Sequence, residues 1–217
     1  MTAPHQGQPL LQAGQALAQA RAALVLVHGR GGSAADMLTL AAELAHPGFA
    51  YLAPQAAGNT WYPFSFLAPL EDNEPGISSG IEAVRAAVAQ AEGAGIPAER
   101  IMVLGFSQGA CLTLEFAART PRRYGGLVAL TGGLIGPEGT PRDYPGSLAG
   151  TPIFIGSSDP DAHVPVARVR ESTAVLQRLG GQVTQRIYPG MGHTINADEI
   201  AFARGMMDFE VDQPAGE

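Results

Sequence analysis

Cysteine, basic residues and long apolar runs are scarce in this chain of 217 residues. A single cysteine, Cys111, excludes an intramolecular disulfide framework and fits a reducing cytoplasm, which is the location we expect. Lysine and arginine number 13 against 20 acidic residues, which gives a formal net charge of −7. Because no basic stripe is available to meet phosphates, the charge argues against a nucleic-acid or anionic-membrane partner.

Other absences narrow the function further. No apolar stretch approaches the roughly 18 residues that cross a bilayer, so we expect no membrane span. Residues 1–20 have neither a positive segment nor a continuous apolar segment, so we expect no secretory signal. The sequence has no Cys/His cluster with zinc spacing, no G-x-G-x-x-G after a strand and no phosphate-binding loop. We therefore predict no metal and no cofactor, with a small molecule as the substrate.

Apolar residues, in contrast, are plentiful. They make up 46% of the sequence, which is enough for a sizeable core, and the length fits one domain. We predict a single domain over residues 1–217, with frayed ends at 1–8 and 210–217. A homodimer is compatible with these features.

Short apolar runs alternate with helical patterns along the chain. The predicted strands are 23–27, 49–53, 101–104, 127–130 and 152–156, with a more alternating edge strand at 183–188. The predicted helices are 33–45, 76–92, 107–119, 166–179 and 197–209. This alternation indicates an α/β fold in which helices cover both faces of a mostly parallel central sheet. Active sites of such sheets form at the carboxyl ends of the strands.

The segment Gly105-Phe106-Ser107-Gln108-Gly109 lies between the third predicted strand and the helix that follows it. This is the setting of a nucleophile elbow, in which a tight turn raises a serine hydroxyl above the edge of the sheet. Glycine is about twice as frequent here as the usual roughly 7%, so the pattern alone is weak evidence. The interpretation therefore depends on a base and an acid later in the chain.

A serine needs a neighbouring base before it can act as a nucleophile. His193 follows the last predicted strand in a glycine-rich loop, where the base of an α/β-hydrolase is expected, last in chain order. The other four histidines have different interpretations. His5 lies in an end that we expect to be disordered, and His28 is a structural residue beside a glycine-rich loop. His46 is a surface residue, and His163 is a local hydrogen-bonding partner.

The acid should follow a strand between the serine and the histidine. The loop after the fifth predicted strand offers both Asp159 and Asp161, and spacing alone does not choose between them. A developing oxyanion also needs two backbone donors, for which we predict the N–H groups of Gln108 and of Arg30 in the glycine-rich segment 28–32.

Taken together, these motifs resemble the phospholipase/carboxylesterase family of α/β-hydrolases, which includes the acyl-protein thioesterases. The resemblance spans about residues 22–205 and is carried, in chain order, by His28-Gly29-Arg30-Gly31-Gly32, Trp61, Glu71-Asp72-Asn73-Glu74-Pro75-Gly76-Ile77, Gly105-Phe106-Ser107-Gln108-Gly109-Ala110, Asp161-x-x-Val164-Pro165 and Gly192-His193.

The resemblance implies an α/β-hydrolase fold without a separate cap domain. It also implies a serine esterase with the catalytic residues Ser107, Asp161 and His193, because the family's acid lies three residues before the Val-Pro pair. The implied substrates are short- to medium-chain acyl esters or thioesters.

The walls of the site are less determined by the sequence. We expect an apolar substrate wall formed by Trp61, Phe64, Phe66, Leu67 and Leu134. Cys111 is expected to be a small core residue that does not face the substrate.

Arg30 stands where eukaryotic thioesterases of this family commonly have an apolar residue. Its guanidinium would either recruit an anionic group of the substrate or pair with a carboxylate of its own loop.

Two other functions remain open at this point. The same elbow chemistry serves hydrolases of amides and lactones, and only the pocket separates these from esterases. A non-catalytic α/β-hydrolase fold that binds a ligand is the second alternative, although it would have no reason to keep Ser107, Asp161 and His193 together.

Overall fold

The structure is a computed structural model that describes residues 3–212. Its centre is a seven-stranded sheet. The strands are β1 (Leu10–Gly14), β2 (Ala22–Val27), β3 (Phe49–Pro54), β4 (Ile101–Phe106), β5 (Gly126–Leu130), β6 (Pro152–Asp159) and β7 (Gln182–Pro189). Their order across the sheet is β1-β3-β2-β4-β5-β6-β7. All neighbours are parallel except β1, which pairs antiparallel with β3.

Helices cover both faces of this sheet. They are α1 (Ala34–Glu43), α2 (Leu70–Asn73), α3 (Gly76–Gly93), α4 (Gln108–Arg119), α5 (Val166–Arg178) and α6 (Ala197–Asp212). Apolar residues of α3, α4 and α5 pack on one face, and those of α1 and α6 pack on the other. The predicted fold class is therefore confirmed, and none of the helices in residues 3–212 combines the length and apolar character that crossing a bilayer requires.

Burial explains which strands the sequence reveals. Strands β2, β3 and β5 are buried at every position, as their continuous apolar runs predict. Strand β7 is only half-buried and lies at the edge, which confirms the expectation from its alternating pattern. Strand β1 was not predicted, because its sequence, LLQAG, is mostly exposed at the opposite edge and has no run of apolar residues.

At the start of the described chain, residues 3, 4 and 6–8 are exposed, but His5 is anchored to the core, which the expectation of a frayed end does not include. His5 is buried, and its backbone N–H donates to the Ser79 Oγ at 2.9 Å. Its ring accepts a hydrogen bond from the Ala57 N–H at 3.1 Å through Nδ1 and donates from Nε2 to the Trp61 carbonyl at 2.8 Å. At the other end, α6 continues to Asp212, and the rest of the predicted frayed tail, residues 213–217, lies outside the described residues.

These contacts of His5 predict an acid-sensitive contribution to stability. Burial lowers the pKa of His5 below its ordinary value of 6.5, because a charged imidazole would lose its hydration. The neutral ring also fits the site better, since Nδ1 must accept a hydrogen bond while Nε2 donates one. The stabilisation is therefore complete above the unfolded-state pKa of about 6.5 and is lost as the pH falls from there towards the lower folded pKa.

We expect the urea-derived free energy of unfolding to fall more steeply between about pH 7 and about pH 5 in the wild type than in His5→Gln. Other titrating groups are common to both proteins, so the difference between the two curves isolates His5. Parallel curves would show that His5 is not held neutral by its surroundings.

Candidate active site

The elbow at Ser107 is built from close backbone contacts. Ser107 has φ 54° and ψ −117°, which is a left-handed conformation that a non-glycine residue rarely adopts. A Cβ added at Gly105 would overlap the backbone of Gly109, and one added at Gly109 would overlap the Val27 carbonyl of β2. Both glycines are therefore required for α4 to start directly against the sheet, with Ser107 at its first turn.

Three of the predicted residues form one hydrogen-bonded chain. The Ser107 Oγ lies 2.7 Å from Nε2 of His193, and Nδ1 of His193 lies 2.9 Å from Oδ2 of Asp161. With Asp161 ionised, Nδ1 carries a proton and donates it to the carboxylate, which leaves Nε2 free to accept from the serine hydroxyl. The structure therefore brings Ser107, His193 and Asp161 together in the order that serine activation requires.

The surroundings of Asp161 keep it ionised. Burial alone would raise the pKa of Asp161, but hydrogen bonds from His193 and from the backbone N–H groups of His163 and Val164 lower it below the ordinary value of 3.8. The two N–H groups donate to Oδ1 at 2.7 and 3.0 Å. Asp159, the alternative that spacing left open, is exposed at the end of β6, and it is Asp161 that contacts the histidine.

The loop that carries His193 is anchored to the strand that carries the acid. The Ser158 Oγ accepts from the Gly192 N–H at 2.9 Å and lies 3.2 Å from the Tyr188 carbonyl. The imidazole also packs between two rings, with centroid distances of 5.4 Å to Phe106 and 4.8 Å to His163. These contacts fix the direction in which His193 meets the serine.

The two predicted oxyanion donors lie on either side of the elbow. Among the hydrogen bonds of residues 3–212, none starts from the backbone N–H of Arg30 or of Gln108. The loop of Arg30 lies directly against the elbow, because a Cβ at Gly29 would sit 3.3 Å from the Ser107 Cβ. Both N–H groups are therefore available to an acceptor placed beside the Ser107 hydroxyl.

His28 supports this glycine-rich loop from within, as the sequence predicts. Its Nδ1 lies 2.7 Å from the Gly29 carbonyl, and its Nε2 accepts from the Ala56 N–H at 3.1 Å. Burial lowers the pKa of His28, so the ring is neutral and serves a structural role. Asn59 adds a second support, because its carbonyl accepts from the Gly31 N–H at 2.7 Å.

The side chains of the two donor residues hold a neighbouring segment, residues 61–64, which we call the aromatic loop. The Gln108 Oε1 accepts from the Trp61 N–H at 2.8 Å, and its Nε2 donates to the Tyr62 carbonyl at 2.8 Å. Arg30 continues the pattern, with Nη1 donating to the Pro63 carbonyl at 2.8 Å and Nη2 to the Phe64 carbonyl at 2.6 Å. The oxyanion donors and the aromatic loop are thus one hydrogen-bonded unit, which sequence reasoning did not anticipate.

A cavity of about 570 Å³ opens in front of Ser107. Its lining consists of the hydrogen-bonded serine and histidine, the two residues with the predicted oxyanion donors, and a largely aromatic wall: Arg30, Tyr62, Pro63, Phe64, Ser65, Phe66, Ser107, Gln108, Cys111, His163, Val164 and His193. Phe64 and Phe66 lie in the wall, as the sequence predicts. The wall is therefore the aromatic loop and its continuation, faced by Val164 and His163 from the acid loop.

Three residues predicted for this wall lie elsewhere. Trp61 is fully buried behind the glycine-rich loop, where its ring packs 4.9 Å from His28 and its Nε1 donates to the His28 carbonyl at 2.8 Å. Leu134 is fully buried, and Leu67 packs against the core. All three contribute to the core, and Tyr62 and Phe66, the neighbours of Trp61 and Leu67, line the cavity instead.

Cys111 also departs from the expectation that it does not face the substrate. It lines the cavity because it lies one helical turn after Ser107 on the same face of α4. Burial raises the pKa of the thiol to about 11, so Cys111 is a neutral group of the cavity wall and not a second nucleophile.

No group of three or more His, Cys, Asp or Glu side chains within residues 3–212 is arranged to hold a metal ion. The chemistry described above needs only the side chains and backbone donors already named. A hydroxyl, a base, an oriented acid and two unpaired N–H groups around an open cavity can support acyl transfer.

Comparison with known proteins finds a matching family profile and similar proteins. The profile of the Phospholipase/Carboxylesterase family matches residues 14–209. An acyl-protein thioesterase 1 from Debaryomyces hansenii is 34% identical over 114 residues, which cover 52% of this chain and 49% of the relative. A probable carboxylesterase from Oryza sativa subsp. japonica is 33% identical over 139 residues, which cover 64% of this chain and 51% of the relative. The chain therefore spans about half the length of these curated relatives.

A solved structure agrees over a greater length. The crystal structure of a phospholipase/carboxylesterase from Dyadobacter fermentans is 46% identical and superimposes with a TM-score of 0.89. The match covers 93% of this chain and 96% of that one.

The two hydrogen bonds between the Gln108 side chain and the aromatic loop predict that removing this side chain lowers stability strongly. In Gln108→Ala the buried Trp61 N–H and Tyr62 carbonyl lose their partners while the Gln108 N–H remains. We expect the free energy of unfolding in urea to fall by about 2–4 kcal/mol, the cost of leaving two buried polar groups unpaired. Gln177→Ala, at an exposed position of α5, is the matched control and should change it by less than about 0.5 kcal/mol. Equal effects of the two changes would contradict the assigned role.

Proposed function

The protein belongs to the phospholipase/carboxylesterase family, and on that premise we propose that it is a serine esterase that hydrolyses carboxylic esters through an acyl-enzyme on Ser107. The observation that carries the proposal is the hydrogen-bonded chain from the Ser107 Oγ through His193 to Asp161, with distances of 2.7 and 2.9 Å. Its members come from three separate loops, each of which follows a different strand.

In the first half of the reaction, the Ser107 oxygen attacks the ester carbonyl carbon while His193 Nε2 takes the hydroxyl proton. The carbonyl oxygen becomes an oxyanion and accepts hydrogen bonds from the backbone N–H groups of Arg30 and Gln108. Protonated His193 is stabilised by the Asp161 carboxylate. When the tetrahedral intermediate collapses, His193 gives its proton to the leaving alcohol and an acyl-Ser107 ester remains.

The second half repeats these steps with water. His193 Nε2 takes a proton from a water molecule, the hydroxide attacks the acyl carbon, and the same two N–H groups bind the oxyanion. Collapse breaks the bond to the Ser107 oxygen, which recovers its proton from His193, and a carboxylic acid is released. Each cycle consumes one ester and one water.

The cavity wall supports a short- to medium-chain acyl group. Tyr62, Phe66 and Val164 are buried and apolar, and a cavity of about 570 Å³ has room for a chain of limited length. The same site would accept a thioester, because its oxyanion donors contact the carbonyl oxygen and not the leaving atom.

Amide or lactone hydrolysis would use the same elbow, and neither has a specific observation in its favour. A non-catalytic binding role does not explain why Asp161 is held ionised against His193 or why two N–H groups beside Ser107 have no acceptor. The cytoplasmic location and the homodimer stay predictions.

Substitutions in the triad test the reaction directly. We expect Ser107→Ala to abolish hydrolysis of p-nitrophenyl butyrate and labelling by a fluorophosphonate while the protein stays folded. Asp161→Asn should lower kcat by roughly 10³–10⁴-fold, because His193 loses the acceptor that orients it.

Asp159→Asn is the matched control, since it removes an exposed carboxylate two residues away. It should leave kcat near that of the wild type. A folded Ser107→Ala protein with wild-type turnover, or a larger loss in Asp159→Asn than in Asp161→Asn, would contradict the proposal.

The limit on acyl length comes from the cavity wall. We expect kcat/KM for p-nitrophenyl esters to be highest for butyryl to octanoyl groups and to fall for dodecanoyl. Phe66→Ala removes an aromatic ring from the wall and should raise the dodecanoyl rate relative to the acetyl rate.

Phe202→Ala removes a ring of α6 that packs against Phe154, away from the cavity, and should leave that ratio unchanged. A Phe66→Ala protein with the wild-type ratio would show that this wall does not limit acyl length.

A further inference from the structure

Arg30 carries a permanent positive charge that no carboxylate of the described residues neutralises. Its side chain is absent from the ion pairs of residues 3–212, and its partners there are the carbonyls of Pro63 and Phe64. The carboxylate nearest in sequence, Asp36, is engaged instead by the N–H and hydroxyl of Ser33, both at 2.8 Å. Pairing within its own loop, one of the two alternatives for Arg30, is therefore not what the structure shows.

The two carbonyl contacts fix the guanidinium and leave it donors to spare. A guanidinium has five N–H donors, and the contacts with Pro63 and Phe64 use two of them. Arg30 is exposed and its guanidinium lies 5.9 Å from the centre of the Tyr62 ring, inside the set of residues that line the cavity. The group is thus held in place at the cavity while its charge and its remaining donors stay available.

The charge of the cavity differs from that of the whole protein. The formal net charge of the chain is −7, yet the residues that line the cavity include Arg30 and no aspartate or glutamate. Asp161 lies behind His193, and its carboxylate already accepts three hydrogen bonds. A ligand in this cavity therefore meets one fixed cation and no competing carboxylate.

We propose that Arg30 forms an anion-binding subsite of the active site, and that the preferred substrates are esters that carry a carboxylate besides the scissile ester. This proposal rests on the proposed esterase function. The carboxylate accepts charge-assisted hydrogen bonds from the guanidinium while the ester carbonyl lies between the two oxyanion donors. The backbone N–H of Arg30 would thus contact the reacting carbonyl while its side chain selects the substrate.

Pairs of esters that differ only in charge test this subsite. Monoethyl adipate and ethyl adipamate place a carboxylate or a neutral amide in the acyl group. The 4-carboxyphenyl and 4-carbamoylphenyl esters of butyric acid do the same in the leaving group. We expect the wild type to prefer the charged member in kcat/KM by about tenfold or more in one of the two pairs, which identifies the side of the ester that faces Arg30.

Substitution at position 30 separates charge from support of the aromatic loop. Arg30→Gln should lower kcat/KM for both members, because the loop loses contacts, but should remove the preference for the charged one. Arg30→Lys should keep most of the preference. Arg85→Gln, which removes an exposed arginine that pairs with Glu82 on α3, should leave the preference intact.

Equal rates for both members of each pair in the wild type, or equal losses in Arg30→Gln, would overturn the subsite and leave the esterase intact. If instead the proposed esterase function is wrong, either no ester is hydrolysed or hydrolysis survives Ser107→Ala. If no ester is hydrolysed, calorimetric binding of each ester still tests the subsite, and if hydrolysis survives Ser107→Ala, the ratio of kcat/KM for the charged and neutral esters does; equal values for the two members would overturn it.

Discussion

The hydrogen bonds between Gln108 and the aromatic loop are the interaction on which the site depends. Gln108 stands directly after the nucleophile, so its backbone position is fixed by the elbow, while its buried side chain binds one N–H and one carbonyl of residues 61–62. Arg30, in the glycine-rich loop, donates to the carbonyls of residues 63 and 64. Because buried peptide groups need partners, Gln108 supplies them to residues 61 and 62 in place of the strand neighbours that the loop lacks, and Arg30 adds contacts to the exposed residues 63 and 64.

One consequence is that the wall and the oxyanion donors are not independent parts. A shift of the aromatic loop would break the hydrogen bonds of the Gln108 and Arg30 side chains, whose own backbone N–H groups are the predicted oxyanion donors. His28, whose carbonyl accepts from the Trp61 indole, adds a third link from the back of the loop. The shape of the cavity and the surroundings of the two predicted oxyanion donors therefore depend on the same few hydrogen bonds, which support loop residues as neighbouring strands would.

Local patterns predicted the central fold and the order of the triad, because buried strands and a strand–turn–helix serine leave strong signals in sequence. Positions that depend on partners far away in the sequence were not predicted. Trp61 and Phe66 are equally aromatic, and the contacts of Trp61 with the distant residues His5, His28 and Gln108 keep it out of the cavity that Phe66 lines. Similarly, His5 lies in a stretch that is typical of a polar tail, because its hydrogen-bonding partner Ser79 is 74 positions away in the sequence. Asp161 was separated from Asp159 by family resemblance, because residue spacing carries no information on which carboxylate turns inward.

The contacts of His5 also bear on the order of folding. They join positions separated by 52 to 74 residues, and closing loops of that length costs entropy that is recovered only after most of the intervening chain has found its place. We therefore expect strands β2 and β3 and helix α3 to form before residues 3–8 dock beneath the aromatic loop. We expect residues 3–8 to be among the last to be ordered, and the packing behind the aromatic loop to be completed with them.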